Sequence, residues 1–352
     1  MTKVPEISFN LDQPIYQKEK KKALVTGASG FIGSHLAKQL KKEGYFVRGI
    51  DIKWPEYMMT SEIADEFMIR DLREPKECDE AFRERSGEGK YIAFDEVYAL
   101  AADMGGMGFI SKNHATILYN NAMINLNTIK KADSANVKKY LYTSSACVYP
   151  EYRQTKTDVK PLKEIDAYPA QPQDAYGWEK LMAEKVCEYF AQEKELNIRI
   201  VRFHNIYGPQ GTYKGGREKA PAALCRKIAE AKIEGKHYIE IWGDGKATRS
   251  FCYIDDCIQG LEKIMQSDYR KPINLGRDEM VSVDQLADII MDIAGVEFDK
   301  LYVDGPQGVR GRNSDNTLLK EVTGWQPGID LKTGLKPTYE WIEKKVMEDS
   351  TV

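Results

Sequence analysis

Lys22-Ala23-Leu24-Val25-Thr26-Gly27-Ala28-Ser29-Gly30-Phe31-Ile32-Gly33 decides how this chain folds. Ala23-Leu24-Val25 reads as a short buried strand, and a helical pattern spans 34–43 and closes at Gly44. The glycines between them leave bare backbone that lets a diphosphate approach, and the positive end of the helix dipole favours it. Three spaced glycines alone are a weak signal; the strand before and the helix after give them meaning. The next strand, Phe46-Val47-Arg48-Gly49-Ile50, ends on Asp51, about twenty residues past the glycines. A carboxylate there accepts hydrogen bonds from an adenosine ribose and favours NAD over its 2′-phosphorylated form. Gly27, Gly30, Phe31, Ile32, Gly33 and Asp51 are therefore candidates for binding NAD.

The alternation continues outward. Glu66-Phe67-Met68-Ile69 leads to Asp71-Leu72-Arg73, expected at the adenine. Residues 74–90 read as a helix with a solvated loop. A buried strand over 96–102 ends in Leu100-Ala101-Ala102, which complete the cofactor candidates, and empties into a glycine-rich loop, 103–108. A helix is expected over 111–134. Tyr140-Leu141-Tyr142 then delivers Thr143-Ser144-Ser145-Ala146-Cys147, and a helix opened by Tyr176 reaches about residue 195 before the apolar strand Ile198–Phe203. Repeated βα units predict a doubly wound parallel sheet of the Rossmann type, with ligands beyond the carboxyl ends of its strands. Residues 1–203 are expected to form the NAD-binding domain, with a strand and helix near 247–275 returning to it. The remainder of 204–352 is expected to form mainly a smaller substrate-binding lobe.

The chemistry concentrates between Thr143 and Lys180. Tyr176 and Lys180 lie one helical turn apart on one face. A phenol, of unperturbed pKa near ~10, is a poor base, and a neighbouring ammonium favours its ionised form. Ser145 offers a hydroxyl to the reacting oxygen, and Cys147 stands at the same strand end. Lys219, Arg249, Arg310 and Arg312 are loop cations suited to a nucleotide diphosphate, because guanidinium forks match phosphate oxygens. Taken singly, Tyr-x-x-x-Lys is also an ordinary amphipathic helix, Cys147 a packing thiol and each cation a solvated charge. Convergence on one sheet edge favours catalysis.

Bulk properties narrow the class. The formal net charge of −3 asks for neither nucleic acid nor an anionic membrane as partner. No apolar run reaches the roughly 20 residues of a membrane span, and residues 1–22 are polar and mixed, without the apolar core of a signal peptide. Six scattered cysteines and four histidines show no metal-ligand spacing, so no metal is expected and a reducing cytoplasm is the expected compartment.

Together these residues resemble the extended short-chain dehydrogenase/reductase family along nearly the whole chain. The resemblance implies NAD as cofactor, Tyr176 as acid/base for a hydroxyl-to-ketone step, and Lys180 as the holder of Tyr176 and the nicotinamide ribose. Four stretches are narrower: Ala102-Asp103-Met104-Gly105-Gly106-Met107-Gly108-Phe109, Ser145-Ala146-Cys147-Val148-Tyr149-Pro150, Gly215-Gly216-Arg217-Glu218-Lys219-Ala220-Pro221 and Gly308-Val309-Arg310-Gly311-Arg312-Asn313-Ser314-Asp315. They are similar to family members that invert carbons 3 and 5 of GDP-mannose. That likeness implies Cys147 and Lys219 as the proton-removing and proton-returning pair. It implies contacts to GDP-mannose and its epimers at Gly105, Ser145, Ala146, Cys147, Asn205, Glu218, Lys219, Ala220, Lys227, Ala247, Arg249, Ser250 and Arg312, and a homodimer. Two alternatives stand beside it. One is a related sugar-nucleotide 4-epimerase, dehydratase or decarboxylase, although a dehydratase of the family usually has Glu where this chain has Cys147. The other is an NAD-bound sensor without catalysis, although such proteins tend to lose the Tyr or Lys that are intact here.

Overall fold

The computed structural model describes residues 20–84 and 89–350. Nearly all of the polar stretch 1–22, and the middle of the loop expected near 84–90, lie outside the described residues. Seven parallel strands form the central sheet: β1 (Lys22–Thr26), β2 (Phe46–Asp51), β3 (Glu66–Ile69), β4 (Glu96–Ala99), β5 (Lys139–Ser145), β6 (Ile198–Phe203) and β7 (Pro272–Leu275). Their order is β7-β6-β5-β4-β1-β2-β3. The chain winds outward from β1 in one direction and from β4 in the other, so a crevice opens between those two strands at their carboxyl ends. This is the doubly wound sheet that the glycine turn and the βα alternation predict.

Period-two alternation divides the core. Ala23 and Val25 of β1 pack into one apolar cluster with Leu36, Ala37 and Leu40 of helix α1 (Phe31–Lys42), while Leu24 joins another with Ile129 and Ala132 of α2 (His114–Ser134) and Ala183 and Cys187 of α3 (Ala175–Glu193). Both faces of the sheet are thus covered, which is why its strands read as apolar runs. Beyond the sheet, helix α4 (Ala220–Glu234) packs with helices Val283–Ala294 and Leu331–Ser350, beside the short paired strands Tyr238–Trp242 and Asp299–Val303. A three-stranded ribbon, Met280–Ser282, Thr248–Ser250 and Gly311–Arg312, brings Arg249 and Arg312 into register as neighbours.

Several boundaries differ from expectation. The strand expected over 96–102 stops at Ala99, because the Leu100 and Ala101 amides donate to Thr26 Oγ1, at 3.2 and 3.1 Å, instead of continuing a ladder. The glycine-rich loop contains a short helix, Met107–Ile110, so the helix expected from 111 starts at His114. Asn113 makes the break, its amide donating back to Phe109 O at 2.7 Å. Helix α1 starts at Phe31 rather than Ser34, and β5 runs three residues past Tyr142 because β6 pairs with Thr143, Ser144 and Ser145 beyond the end of β4.

Candidate active site

The cofactor side of the crevice is set by close backbone approach. A Cβ on Gly33 would lie 2.1 Å from Gly27 O, so only glycine lets α1 start against the turn. The helix begins without a side-chain cap and without an acidic residue in its first turn, which leaves its dipole for an anion. Asp51 is held beside that turn, accepting from the Ser29 amide at 3.0 Å and the Ile52 amide at 2.7 Å. The Ser29 hydroxyl is buried and finds no partner among the described residues. An uncapped helix start, a fixed carboxylate and an orphaned hydroxyl fit a dinucleotide. Leu100 and Ala101 line the turn, held there by Thr26. Asp71 is paired with Arg73, which engages its carboxylate through Nε at 2.9 and 3.0 Å and holds it below the usual carboxylate range.

The opposite wall comes from β5 and α3. Ser145 ends β5 and caps the 3-10 turn Ala146–Val148, its Oγ accepting from the Cys147 amide at 3.2 Å. Asp174 caps α3 by accepting from the Gly177 amide at 2.9 Å. A Cβ on Gly177 would meet Cys147 O at 2.2 Å, so the helix seats directly on the cysteine turn. Tyr176 and Lys180 are both buried. The lysine donates to Thr143 O at 3.0 Å and stands 5.0 and 5.6 Å from the ring centroids of Tyr142 and Tyr176. Burial, reinforced by the charges of Cys147 and Glu179, pushes the Tyr176 phenol well above its usual range, against the hydrogen bond from Ser145. Burial also lowers Lys180, against the attraction of Glu179.

Residues after β6 bring cations to these groups. Arg312 is buried; its Nε donates to Gln154 Oε1 at 2.6 Å and its Nη1 to Cys147 Sγ at 3.3 Å. The diphosphate fork expected at Arg312 is therefore engaged on the thiol side of the crevice. Arg249 donates to Thr248 O and Val309 O, and burial, followed by the charge of Arg312, pushes it down to about 9, still charged at neutral pH. Lys219 is the residue before α4. Its side chain is exposed, yet desolvation of the ammonium by the surrounding protein lowers its pKa, with Cys147 the largest opposing charge. Tyr176, Lys180, Ser145, Cys147, Lys219, Arg249 and Arg312 thus surround one space.

The remaining expected residues are less uniform. Asn205, at a left-handed φ of 45°, donates to Ser250 O at 2.9 Å, and the buried Ser250 hydroxyl is without a partner among the described residues. Gly105 lies against Phe109 and Arg217, Ala146 is buried in the 3-10 turn, and Ala220 begins α4. Glu218 turns back on its own loop, accepting from the Gly216 amide at 2.7 Å and from Arg226 at 3.3 Å. Lys227 lies about two turns along α4 from Lys219 and donates to Glu240 O at 2.9 Å. The Ala247 carbonyl accepts from the Val283 amide at 3.0 Å. Those last three are committed to the protein's own backbone or charges.

Two groups of residues escaped the sequence reading. The first is a clasp over the crevice. Arg217 bonds Asp103 at 2.9 Å, stacks 3.7 Å from the Phe109 centroid, and accepts at its carbonyl from the Gly106 amide at 2.9 Å. Asp103 is in turn held by Asn120 and Asn121 of α2. The second is a buried network behind the catalytic wall. Arg202 pairs with Glu184 at 2.7 Å, Ser144 donates to Glu184, and Tyr149 and Arg202 extend the chain to Asn274. A signal for this network was present: arginines within Ile198–Phe203, a strand buried on both faces, require partners. Glu184 continues the four-residue spacing of Tyr176 and Lys180.

The chain is similar to known proteins along most of its length. The model of the NAD dependent epimerase/dehydratase family matches residues 23–276. The chain is 48% identical over 336 residues to GDP-mannose 3,5-epimerase 1 of Oryza sativa subsp. indica, covering 96% of this chain and 85% of that one. It is 47% identical to GDP-mannose 3,5-epimerase of Arabidopsis thaliana over 334 residues, 95% and 85% of the two chains. Among solved structures, UDP-glucose 4-epimerase from Thermotoga maritima with UDP-glucose superposes with a TM-score of 0.80 at 26% identity, covering 92% of this chain and 99% of that one. With the glycine turn, the Tyr176–Lys180 pair and a family match across most of its length, the chain belongs to the NAD-dependent epimerase/dehydratase family.

Proposed function

We infer that this protein converts GDP-mannose to GDP-L-galactose by inverting carbons 3 and 5, with GDP-L-gulose arising when carbon 5 alone is inverted. The observation that carries this reading is Cys147, a thiol at the end of β5 contacted by Arg312 at 3.3 Å, beside the buried Tyr176 and Lys180. NAD, when bound at the glycine turn, supplies the two-electron oxidation and re-reduction of carbon 4 and a positively charged ring. Tyr176 takes the proton of the carbon-4 hydroxyl and returns it at the end, with Ser145 hydrogen-bonding the same oxygen. A ketone at carbon 4 acidifies the hydrogens on both neighbouring carbons. The Cys147 thiolate removes a proton from one face and becomes a thiol; the Lys219 ammonium delivers one to the other face and becomes an amine, and exchange with water, which takes the thiol proton and reprotonates the amine, resets the pair before the second carbon is inverted. Inversion needs that opposition of faces, and crowding that lowers the Lys219 pKa eases the delivery.

The direct test incubates the purified protein with GDP-mannose and identifies the sugars by chromatography and NMR. GDP-L-galactose is the expected product. A sugar inverted at carbon 4, a dehydrated sugar, or unchanged GDP-mannose with no loss of carbon-bound hydrogen would reject the reading. On the cofactor side, Asp51→Ala is expected to weaken NAD binding by about 1–3 kcal/mol, the range for a hydrogen bond to a charged acceptor. Titration calorimetry with NAD checks this, and unchanged affinity would show that Asp51 serves only the Ser29 and Ile52 amides.

A further inference from the structure

Gln154 is fully buried, and all of its polar side-chain atoms are in use. Its Nε2 donates to Tyr149 O at 3.0 Å and Pro150 O at 3.1 Å, which leaves Oε1 to face Arg312 and accept from its Nε at 2.6 Å. With both amide donors on carbonyls, the flipped amide is excluded. The Gln154 carbonyl also accepts from the Arg310 and Gly311 amides, at 2.9 and 3.2 Å. One residue therefore grips the arginine segment by side chain and backbone together. It anchors that segment to Tyr149 and Pro150, two and three positions after Cys147 in the chain. A guanidinium is planar, so fixing Nε fixes the direction in which Nη1 points. Here that direction is the Cys147 sulfur.

We propose that Gln154 is a positioning residue, one that clamps Arg312 so its guanidinium stays aimed at the Cys147 sulfur and stabilises the thiolate over the thiol. The proposal rests on Cys147 as the proton-removing group of the function inferred above. Other charges and titratable groups act on the thiol from the elements around it: Lys219 before α4, Arg249 on the neighbouring strand, and Tyr176 and Lys180 on α3. All of these persist when Gln154 is changed; its bonds to the Tyr149 and Pro150 carbonyls do not, and the double variant below separates their loss from the aim of Arg312.

Reactivity of the thiol tests this without any turnover. Among the described residues Cys147 is the one cysteine that is not buried, so iodoacetamide is expected to label it first, and peptide mass analysis confirms the position. In the purified protein without substrate, Gln154→Met is expected to slow labelling by about five- to tenfold at neutral pH and to displace its pH profile upward. Arg312→Met is expected to do the same, and the double variant to be no slower than Arg312→Met alone, because the amide acts only through the guanidinium. If Gln154→Met does not fold, Gln154→Asn is used; its amide is one methylene too short to reach both the carbonyls and Arg312, and the same direction is expected. An unchanged labelling profile, or a Gln154 effect that persists in full when Arg312 is absent, overturns the proposal. Failure of the epimerase reading looks different: the labelling shifts would remain while Cys147→Ser left carbon–hydrogen exchange intact.

Discussion

Cys147→Ser is expected to stop solvent deuterium from entering carbons 3 and 5 of GDP-mannose while leaving oxidation at carbon 4 in place. A hydroxyl is a far weaker acid than a thiol of unperturbed pKa about 8.5, so almost none of it is ionised to act as base. The loss of exchange should fall in the range of about a hundredfold to ten-thousandfold that a positioned acid–base group contributes. Deuterium content is read by mass spectrometry and NMR of substrate recovered from deuterated water. Quenching the same mixture with borodeuteride traps any ketone as label at carbon 4. Tyr176→Phe should fail at the earlier step and show neither label. Wild-type exchange in Cys147→Ser would make the cysteine a packing residue and require another base.

The second large effect is expected behind the site. Arg202 and Glu184 are both buried, paired at 2.7 Å, and the Arg202 guanidinium also donates to Tyr149 and to the Glu164 carbonyl. Glu184→Leu would strand a buried cation and remove the acceptor of Ser144. A cost of about 3–5 kcal/mol is expected, because an unpaired charge in the interior is worse than none. Replacing both, as Glu184→Leu with Arg202→Met, should recover most of it. Urea denaturation of the three variants measures the difference. A loss below about 1 kcal/mol in Glu184→Leu would show that water or a shifted side chain compensates for the missing carboxylate.

What the sequence made legible was local or periodic. The glycine turn, its strand and its helix are contiguous, and the alternation of Ala23, Leu24 and Val25 already divides the two cores. Tyr176 and Lys180 are legible because a helix fixes how residues four apart relate. Arg312 is the opposite case. Its type suggests a phosphate fork, but its direction is set by Gln154, 158 positions away, and neither residue carries a mark of the other. The same holds for Asp103 and Arg217, 114 positions apart. Each reads alone as a solvated charge. The surroundings of Tyr176 divide the same way: spacing shows the lysine, whereas the burial that raises the phenol is a property of the assembled fold.

The seat of Gly177 on the Cys147 carbonyl makes one jaw of this crevice rigid. Phenol and thiol are carried by parts that touch without room for a methyl group, so neither can be re-aimed alone. The other side is built differently: Lys219 comes two residues after Arg217, on a loop held to the 103–109 segment by the Arg217–Asp103 ion pair, the stacked Phe109 ring, and hydrogen bonds to the Met104 carbonyl and from the Gly106 amide. A side chain at position 177 would therefore have to part the helix from the cysteine turn, whereas the Lys219 loop can shift by giving up side-chain contacts of Arg217 and one backbone hydrogen bond.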